Sequence, residues 1–567
     1  MKNLVFGLNC PILPDGTVTY DGNVACLQDG KPVMALAEER ISRRKYDGSF
    51  RAAFEFMMKR LDATICDIDA ISICSFAQPY SYPGPFPDRV SDIFKSVIDT
   101  GVRIHYVQSH HEAHAFSAIC QSQVSDAIIA VIDHTGNILG SNVTDTLENN
   151  RAEQTSYYLV RDGKMSLVAR EHDLPGDAGY GRLYGDVTCY LGFNSYRESG
   201  KTMGLASFGD EKVLEKFRAF TRSPDGKELA NLAEENYCED CTKDIANWFK
   251  NKGLVIPARR KATDLIRPFD MHLAAWVQDQ IQGSIARRIK TLMETYAVKN
   301  VCLAGGVAMN SVLNTYLEET LGANLFIPPS PGDAGIALGA AAQYLFVKDG
   351  RIPGFGPCPY LGPLYDEQEI QYALEHYCEG MSIEKCTDVT MEAASAMAAN
   401  KIIGWFQGRS EYGPRALGNR SILSSPRNSW TKEILNSQVK LREWFRPYAP
   451  AVRLEDAGKY FHLNSEVPHM MKIARVKPAA QLEIPACIHV DGTARLQTVT
   501  RESNELFHHL IGTFGALTGT PVILNTSFNL AGMPIVESPY DAIQCFKKSI
   551  GMDMLFIGDN KISKNLS

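Results

Sequence analysis

The sequence predicts an α/β fold in its first part and a separate α+β part after it, on three observations. Short apolar, β-branched runs end on an acidic residue or a Gly-Gly turn that opens a helical pattern, as in DAIIAVIDHTGN, VCLAGGVAMNSVLNTYLEETL and PPSPGDAGIALGAAAQYLF. Such junctions suit a nucleotide-binding sheet, because helix N-termini and glycine amides accommodate phosphate. A length of 567 residues exceeds one ordinary domain. A Pro- and Gly-rich stretch without apolar period, DGRIPGFGPCPYLGPLYD, separates the two parts, giving 1–350, a linker at 351–366, and 367–567.

The elements follow in order. LVFGLN and NVACLQDGKPVMALAEE read as a strand meander with a turn at Asp29-Gly30. A helical pattern over 50–61 leads into a buried strand, DAISICSF, and the β-branched run IIAVID makes another. In the second part MEAASAMAANK reads as a helix and PVILNTSF as a strand. No repeat or low-complexity tract demands a solenoid or a disordered tail.

Composition sets limits. Hydrophobic residues at 45% and charged residues at 22% describe a globular chain, which excludes disorder, collagen and coiled coil as whole-chain readings. A net charge of −7 argues against broad nucleic-acid binding, which draws on a basic surface. Uncharged apolar stretches stay below the ~18 residues that span a bilayer. The nearest, 334–347, is Gly/Ala-rich, and the start MKNLVFGLNCP lacks a cleavage site. A soluble, unexported, cytoplasmic protein without a membrane partner is expected. The 14 cysteines sit mostly in apolar contexts, as reduced thiols do. The CxxC pair Cys238 and Cys241 lacks the second half of a zinc site and is read as structural or incidental.

Four motifs carry chemistry. In His110-His111-Glu112-Ala113-His114, a helix puts His110 and His114 on one face a turn apart, able to share a metal ion, with His111 pointing elsewhere. Asp133 after IIAVI and Asp333 in PGDAG can complete the ligand set, although two core or surface histidines fit the same motif. In AGGVAMN, Gly305 and Gly306 let backbone approach a nucleotide and Asn310 can bond a ribose or base; close helix-on-sheet packing explains the motif equally well. Gly200-Lys201-Thr202 has the tail of a Walker loop with Ser195 where its first glycine belongs, leaving Lys201 as a point charge for phosphate.

The fourth motif is basic. Residues 401–450 hold nine Lys/Arg against three acids, +6 in a chain of −7. Arg415 and Arg420 in GPRALGNRSIL keep apolar company, which suits a phosphorylated-substrate pocket better than a solvated face. His489, Asp491 and Arg495 in IHVDGTARLQTV, with Asn525, Ser527 and Asn529 in LNTSFN, add polar groups at strand ends.

The ordered series AEERISRRK, HHEAH, ESGKTMGLASFG, AGGVAMN, PGDAGIALGAA, EYGPRALGNRSILSSPR, VKLREWFRPYAPAV, IPACIHVDGTARLQTV and LNTSFNLAGMPIVESPYDAI covers nearly the whole chain. It resembles the O-carbamoyltransferases of antibiotic biosynthesis, of the tobramycin carbamoyltransferase type, and the related nodulation proteins. The resemblance implies an N-terminal actin-like ATPase (ASKHA) domain, similar to the tRNA threonylcarbamoyl transferase, followed by a YrdC-like domain. In that family the YrdC-like domain makes carbamoyl adenylate from carbamoyl phosphate and ATP with Mg²⁺. The N-terminal domain then transfers the carbamoyl group to a hydroxyl or amine of a small acceptor.

Carried over by motif, His110, His114, Asp133 and Asp333 would bind an Fe²⁺-type metal, with His114 also at the reacting centre. Asn310, beside Gly305 and Gly306, would hold the adenylate, and Lys45 would lie beside the acceptor. Arg415, Arg420, Lys440, Arg442, Arg446 and Arg495 would bind carbamoyl phosphate and nucleotide phosphates, with His489, Asn525 and Ser527 nearby. The family places His before Asp in the turn after the first strand, whereas this chain has Tyr20 before Asp21. Tyrosine, with a pKa near 10, is a poor neutral-pH base. Tyr20 therefore orients substrate, or the acceptor is itself nucleophilic, or another residue is the base. A monomer or homodimer without nucleic acid is expected. Two alternatives share the resemblance: a fused enzyme of the tRNA threonylcarbamoylation type and a non-catalytic actin-like ATP-binding regulator. Hydrogenase-maturation carbamoyltransferase would require paired zinc fingers, which this sequence lacks.

Overall fold

The structure, a computed structural model, describes residues 2–11, 19–75, 101–139, 151–172, 179–221, 241–251 and 253–565. The chain divides into two compact units, one of Met1–Lys31 with Thr64–Pro357, the other of Pro32–Ala63 with Cys358–Ser567. The second unit therefore includes 32–63, which the sequence reading placed within 1–350.

In the first unit, β1 (Leu4–Asn9) pairs antiparallel with β2 (Asn23–Gln28) and parallel with β3 (Ile68–Cys74), which in turn pairs parallel with β4 (Arg103–Tyr106). Asp29 (φ 50°) and Gly30 (φ 78°) close the predicted turn after β2. A second sheet centres on β5 (Ala127–Ile132), antiparallel to β6 (Arg151–Arg161), which pairs with β7 (Lys164–His172). On its other side β5 runs parallel to β8 (Asn300–Ala304), which is parallel to β9 (Asn324–Phe326). Between β4 and β5 runs α1 (His110–Ser122); α2 (Pro268–Tyr296), α3 (Ser311–Leu321) and α4 (Ile336–Asp349) follow in chain order.

The Gly/Ala-rich 334–347 stretch becomes α4, a core helix packed on β1 and α1. Its small residues serve close approach. A Cβ on Gly339 would meet Ala113 O at 1.8 Å, and one on Gly7 of β1 would meet Ala337 O at 1.8 Å. No described helix is long and apolar enough to cross a membrane.

The second unit is built on an eight-stranded mixed sheet. It contains β10 (Met381–Lys385), β11 (Ile403–Phe406), β12 (Arg420–Ser424), β13 (Ala449–Arg453), β14 (Gln497–Val499), β15 (Val522–Ser527), β16 (Met554–Ile557) and β17 (Asn560–Lys564), in the order β10-β17-β16-β11-β12-β15-β13-β14. Central strands are covered on both faces, so they read as apolar runs. Trp405 and Leu423 join the core under α5 (Val389–Ala398) and α6 (Glu505–Thr518). Their neighbours Phe406 and Ile422 join the core under α7 (Pro539–Lys548), as the two-residue strand period requires.

Side chains of the AEERISRRK segment tie 32–63 into this unit. Glu38 accepts from Ala52 N and Ala53 N at 3.0 and 2.8 Å, satisfying donors that open helix Arg51–Arg60. Buried Arg40 lies 3.6 Å from Glu537. Arg43 donates to Ile535 O and Pro534 O and lies 3.2 Å from Asp541. The twelve cysteines whose side chains are described are free thiols. Cys238 and the Cys241 side chain lie outside the described residues.

Candidate active sites

The first site is in the first unit. Ser109 caps α1 by accepting from Glu112 N at 3.0 Å. His110 and His114 then project from one helix face toward Asp133, just past β5, and Asp333, in the turn before α4. His114 Nε2 lies 3.1 Å from Asp133 Oδ2 and 3.4 Å from Asp333 Oδ1. His110 Nε2 lies 3.9 and 3.4 Å from the same two atoms. One ligand atom from each of the four residues falls within 4.8 Å of the others.

Ligands ~2.1 Å from a shared ion stand about 3.0–3.4 Å apart in octahedral or tetrahedral geometry, so the spacing fits. Both His114 ring nitrogens and Asp133 Oδ2 are buried without a hydrogen bond, so the cluster presents unspent donors to an ion. Two imidazoles and two carboxylates suit a divalent transition metal. Burial opposes ionisation of Asp333, but the two histidines outweigh it and hold its carboxyl below the usual range. Burial likewise opposes charging of His114, and the two aspartates raise it to about 9. His111 points away, its Nδ1 2.8 Å from Ser156 Oγ, and burial keeps it neutral.

Tyr20 borders this cluster. Its hydroxyl hydrogen-bonds that of Tyr196, the Arg197 guanidinium lies 3.4 Å from its ring centre, and His134 stacks on Tyr196 at 4.3 Å. Burial, Tyr196 and the Asp333 charge push the Tyr20 phenol far up, so it stays protonated. Asp21 adopts a left-handed φ of 61°. Its carbonyl accepts from Asn9 Nδ2 and Asn23 Nδ2 at 2.9 and 2.7 Å. Sequence reasoning missed Asn23, whose amide also donates to Asp333 O at 2.8 Å and accepts from Ala337 N at 3.0 Å, joining the Tyr20-Asp21 turn to the Asp333 turn.

The Gly-Gly turn packs tightly here: a Cβ on Gly305 (φ 87°) would meet Ile132 O at 2.3 Å, and one on Gly306 would meet Asp133 Oδ1 at 3.0 Å. The side chain of Asn310 is engaged, capping α3 through Leu313 N at 3.0 Å and donating to Gln278 at 2.8 Å. Lys201 is paired with Glu198 at 2.7 Å.

The second site is in the second unit. Burial and Arg446 hold Arg415 down at about 10. Arg442 is also held at about 10, burial first and Arg446 among the causes. Burial together with Arg415, Arg442 and Arg446 depresses Arg495 strongly. Four guanidinium groups thus repel one another, and Arg415 Nε and Arg495 Nε are buried without a hydrogen-bond partner. His489 borders them; burial, then Arg495 and Lys432 against the opposing pull of Asp491, lowers it to about 4. Desolvated cations clustered in this way are poised for an anion.

The other predicted phosphate residues have framework duties. Arg420 is 0% exposed and stacks 3.6 Å from the Phe406 ring centre. It donates to the carbonyls of Gln407 (2.7 Å), Gly408 (3.2 Å), Asn419 (3.1 Å) and Glu537 (3.3 Å). Opening a strand buried on both faces, Arg420 thus gives its Nε and Nη1 to backbone, while its Nη2 makes no hydrogen bond and lies 4.0 Å from Glu537. Lys440 Nζ is enclosed by Ser527 O (2.5 Å), Ser527 Oγ (3.3 Å), Asn529 O (3.0 Å) and Asn529 Oδ1 (2.8 Å). Asn525 donates to Ala416 O at 3.2 Å and Gln497 Oε1 at 2.8 Å, steadying the residue after Arg415. Lys45 is exposed on the second unit, its Nζ 4.9 Å from the Tyr46 ring centre, and its charge contributes to the lowering of Lys440.

Two organising residues escaped the sequence reading. Glu411 Oε1 accepts from Leu417 N, Asn419 N and Arg420 N at 2.7, 2.9 and 3.2 Å, folding the loop that carries Arg415. Asn436, in a π-helical turn, accepts through Oδ1 from Arg442 Nε at 2.9 Å and Tyr448 OH at 2.8 Å. An acid among backbone amides and an Asn in a helix carry no distinguishing pattern.

Two family profiles match this chain: Carbamoyltransferase N-terminus over 95–342 and Carbamoyltransferase C-terminus over 394–564. Nodulation protein NolNO of Sinorhizobium fredii is 30% identical over 97% of this chain and 79% of its own. Nodulation protein NolO of Bradyrhizobium diazoefficiens is 34% identical over 80% and 79%. The 3'-hydroxymethylcephem-O-carbamoyltransferase of Amycolatopsis lactamdurans is 26% identical over 95% and 97%. Among solved structures, full-length HypF in its phosphate- and nucleotide-bound form is 13% identical at a TM-score of 0.33, covering 61% of this chain and 47% of that one, too slight a likeness to carry an argument.

Proposed function

The chain belongs to the carbamoyltransferase family, a family of transferases, and from that premise we propose that it performs two half-reactions, one in each unit. In the second unit, carbamoyl phosphate is hydrolysed to carbamate and phosphate. A carbamate oxygen then attacks the α-phosphorus of ATP and pyrophosphate leaves, giving carbamoyl adenylate. In the first unit, a hydroxyl or amine of a small acceptor attacks the carbamoyl carbon, AMP departs, and the acceptor proton is lost to solvent. Carbamate is a poor electrophile, and adenylation replaces its oxide with a good leaving group. The second unit is read as YrdC-like and the first as actin-like, working in the cytoplasm where ATP is made.

The observation that carries this reading is the set Arg415, Arg442, Arg446 and Arg495, four crowded cations against which Glu443, 3.5 Å from Arg446, sets one negative charge, leaving a surplus that suits an anionic ligand. They neutralise charge gathering on the transferring phosphoryl group, with Mg²⁺ as the nucleotide's counter-ion. His110, His114, Asp133 and Asp333 would hold a divalent ion, iron(II) in this reading, which would supply Lewis acidity when bound. Protonated Tyr20 holds the acceptor by hydrogen bonding, and positioning accounts for much of the remaining acceleration. The test is incubation with ATP, Mg²⁺ and carbamoyl phosphate without acceptor. Pyrophosphate and AMP are expected; ADP and phosphate in their place would identify an ATPase and overturn the reading.

A further inference from the structure

A buried polar assembly behind the His/Asp cluster has no part in the chemistry above. Its centre is Glu153 on β6, 0% exposed. Through Oε1 it accepts from Ser109 Oγ at 2.5 Å and pairs with Arg170 at 2.8 Å. Through Oε2 it accepts from Asn137 N at 3.1 Å and His111 N at 3.4 Å. Its backbone continues the linkage: Glu153 N donates to Asn137 O at 3.0 Å, and Glu153 O accepts from Gly136 N at 2.6 Å. The next residue, Gln154, accepts from Asp133 N at 3.0 Å.

These bonds reach two of the three elements that present the cluster. Ser109 is the N-cap of α1, and Asn137 Oδ1 accepts from His110 N at 2.7 Å, so the start of the histidine helix is fixed from two sides. The turn 133–137, which begins with Asp133, is fixed by the Glu153 carboxylate and backbone together. The fit is tight, since a Cβ on Gly136 would lie 2.8 Å from Glu153 Oε2 and 2.9 Å from His111 Cδ2. At this point the β6–β7 register shifts between Glu153 and Thr155, a bulge of the kind that re-aims a strand near a functional site.

We infer that Glu153 is a positioning residue that sets the spacing of His110 and His114 against Asp133, and so tunes the divalent-ion affinity of the cluster. The inference rests on the metal reading of that cluster. Outer-shell partners of this kind change affinity without touching the ion. In Glu153→Gln the shape is kept, but an amide N–H group replaces one acceptor among donors from Ser109, Arg170, Asn137 and His111.

The experiment titrates Co²⁺ into metal-free wild-type and variant protein below the unfolding temperature, reading calorimetric Kd and the visible ligand-field spectrum. Wild type is expected to bind one Co²⁺ per chain. Glu153→Gln is expected to bind 10- to 100-fold more weakly with an altered spectrum, while its acceptor-independent pyrophosphate release is unchanged. A merely structural Glu153 would lower Tm and leave Kd and spectrum alone; that result in folded Glu153→Gln overturns the inference. Should far-UV circular dichroism show that variant unfolded, Ser109→Ala decides: at least a 3-fold weakening is expected, and unchanged affinity overturns the inference. Wild type that binds no Co²⁺ overturns the metal reading and the inference together, and is distinguished by failing before any substitution is made.

Discussion

His114 Nε2 stands 3.1 Å from Asp133 Oδ2, a helix side chain meeting the group just past a strand end, both buried and neither hydrogen-bonded through those atoms. Such atoms are costly unless a proton or an ion joins them. His114→Ala is therefore expected to abolish stoichiometric Co²⁺ binding and reduce acceptor carbamoylation by at least 100-fold. Pyrophosphate release from ATP and carbamoyl phosphate, proposed above for the other unit, should stay within 2-fold of wild type. Equal loss of both half-reactions would refute the two-site division.

Arg495 carries the cost expected of the anion site proposed above. Its guanidinium is destabilised by burial and by Arg415, Arg442 and Arg446. Arg495→Met is expected to raise the Tm of the ligand-free protein, because one of four like charges is removed, while lowering acceptor-independent pyrophosphate release at least 100-fold. Stability and function should move in opposite directions, as at other strained sites. Added pyrophosphate should raise the wild-type Tm and leave that of the variant nearly unmoved.

Arg420 should behave in the opposite way. Fully buried, it supplies four backbone carbonyls and faces Glu537 at 4.0 Å. Arg420→Met leaves those acceptors and the Glu537 charge without their cation, a loss of about 3–5 kcal/mol. Chemical denaturation is expected to show a lowered midpoint, with the affinity of the remaining folded protein for pyrophosphate unchanged. A normal midpoint with lost affinity would show that Arg420 binds phosphate.

What the sequence revealed and what it hid follow from the range of the interactions involved. The His110/His114 pair was legible because helix periodicity alone puts positions i and i+4 on one face. The α4 segment was legible as Gly/Ala-rich, but only the 1.8 Å clashes at Gly7 and Gly339 show why. The backbone bonds of Arg420 were hidden, because apolar neighbours mark a buried arginine without saying whether a ligand or the chain's own carbonyls satisfy it. Lys45 falls in the first part by its position in the chain, whereas Arg40 and Arg43 draw its segment into the second unit through pairs hundreds of residues apart. Glu153 and Glu411 act largely through backbone amides, and Asn436 through the side chains of Arg442 and Tyr448, none of which a local pattern records.

Tyr20 supplies a test on the acceptor side. Its hydroxyl meets that of Tyr196 beside Asp333, and burial keeps it protonated. Tyr20→Phe removes one hydrogen bond and no base. Acceptor kcat/KM is expected to fall about 10-fold, the effect of one neutral hydrogen bond, with acceptor-independent pyrophosphate release unchanged. A loss above 1,000-fold would make Tyr20 the general base after all.

His489 gives a pH dependence whose sign is fixed. Its imidazole falls from 6.5 in the unfolded chain to about 4 when folded, through burial and then through Arg495 and Lys432, with Asp491 opposing. As pH drops through 6.5 the unfolded chain takes up a proton that the folded protein refuses, so stability declines from about pH 6.5 to about pH 4. Below pH 4 both states are protonated and this group adds no further loss; above 6.5 its contribution is complete. The shift corresponds to about 3 kcal/mol across the window. Urea midpoints measured from pH 4 to 7 should therefore fall more steeply for wild type than for His489→Gln, whose side chain takes no proton. Parallel curves would show that His489 is not held neutral, and bound pyrophosphate should flatten the wild-type curve by offsetting Arg495 and Lys432.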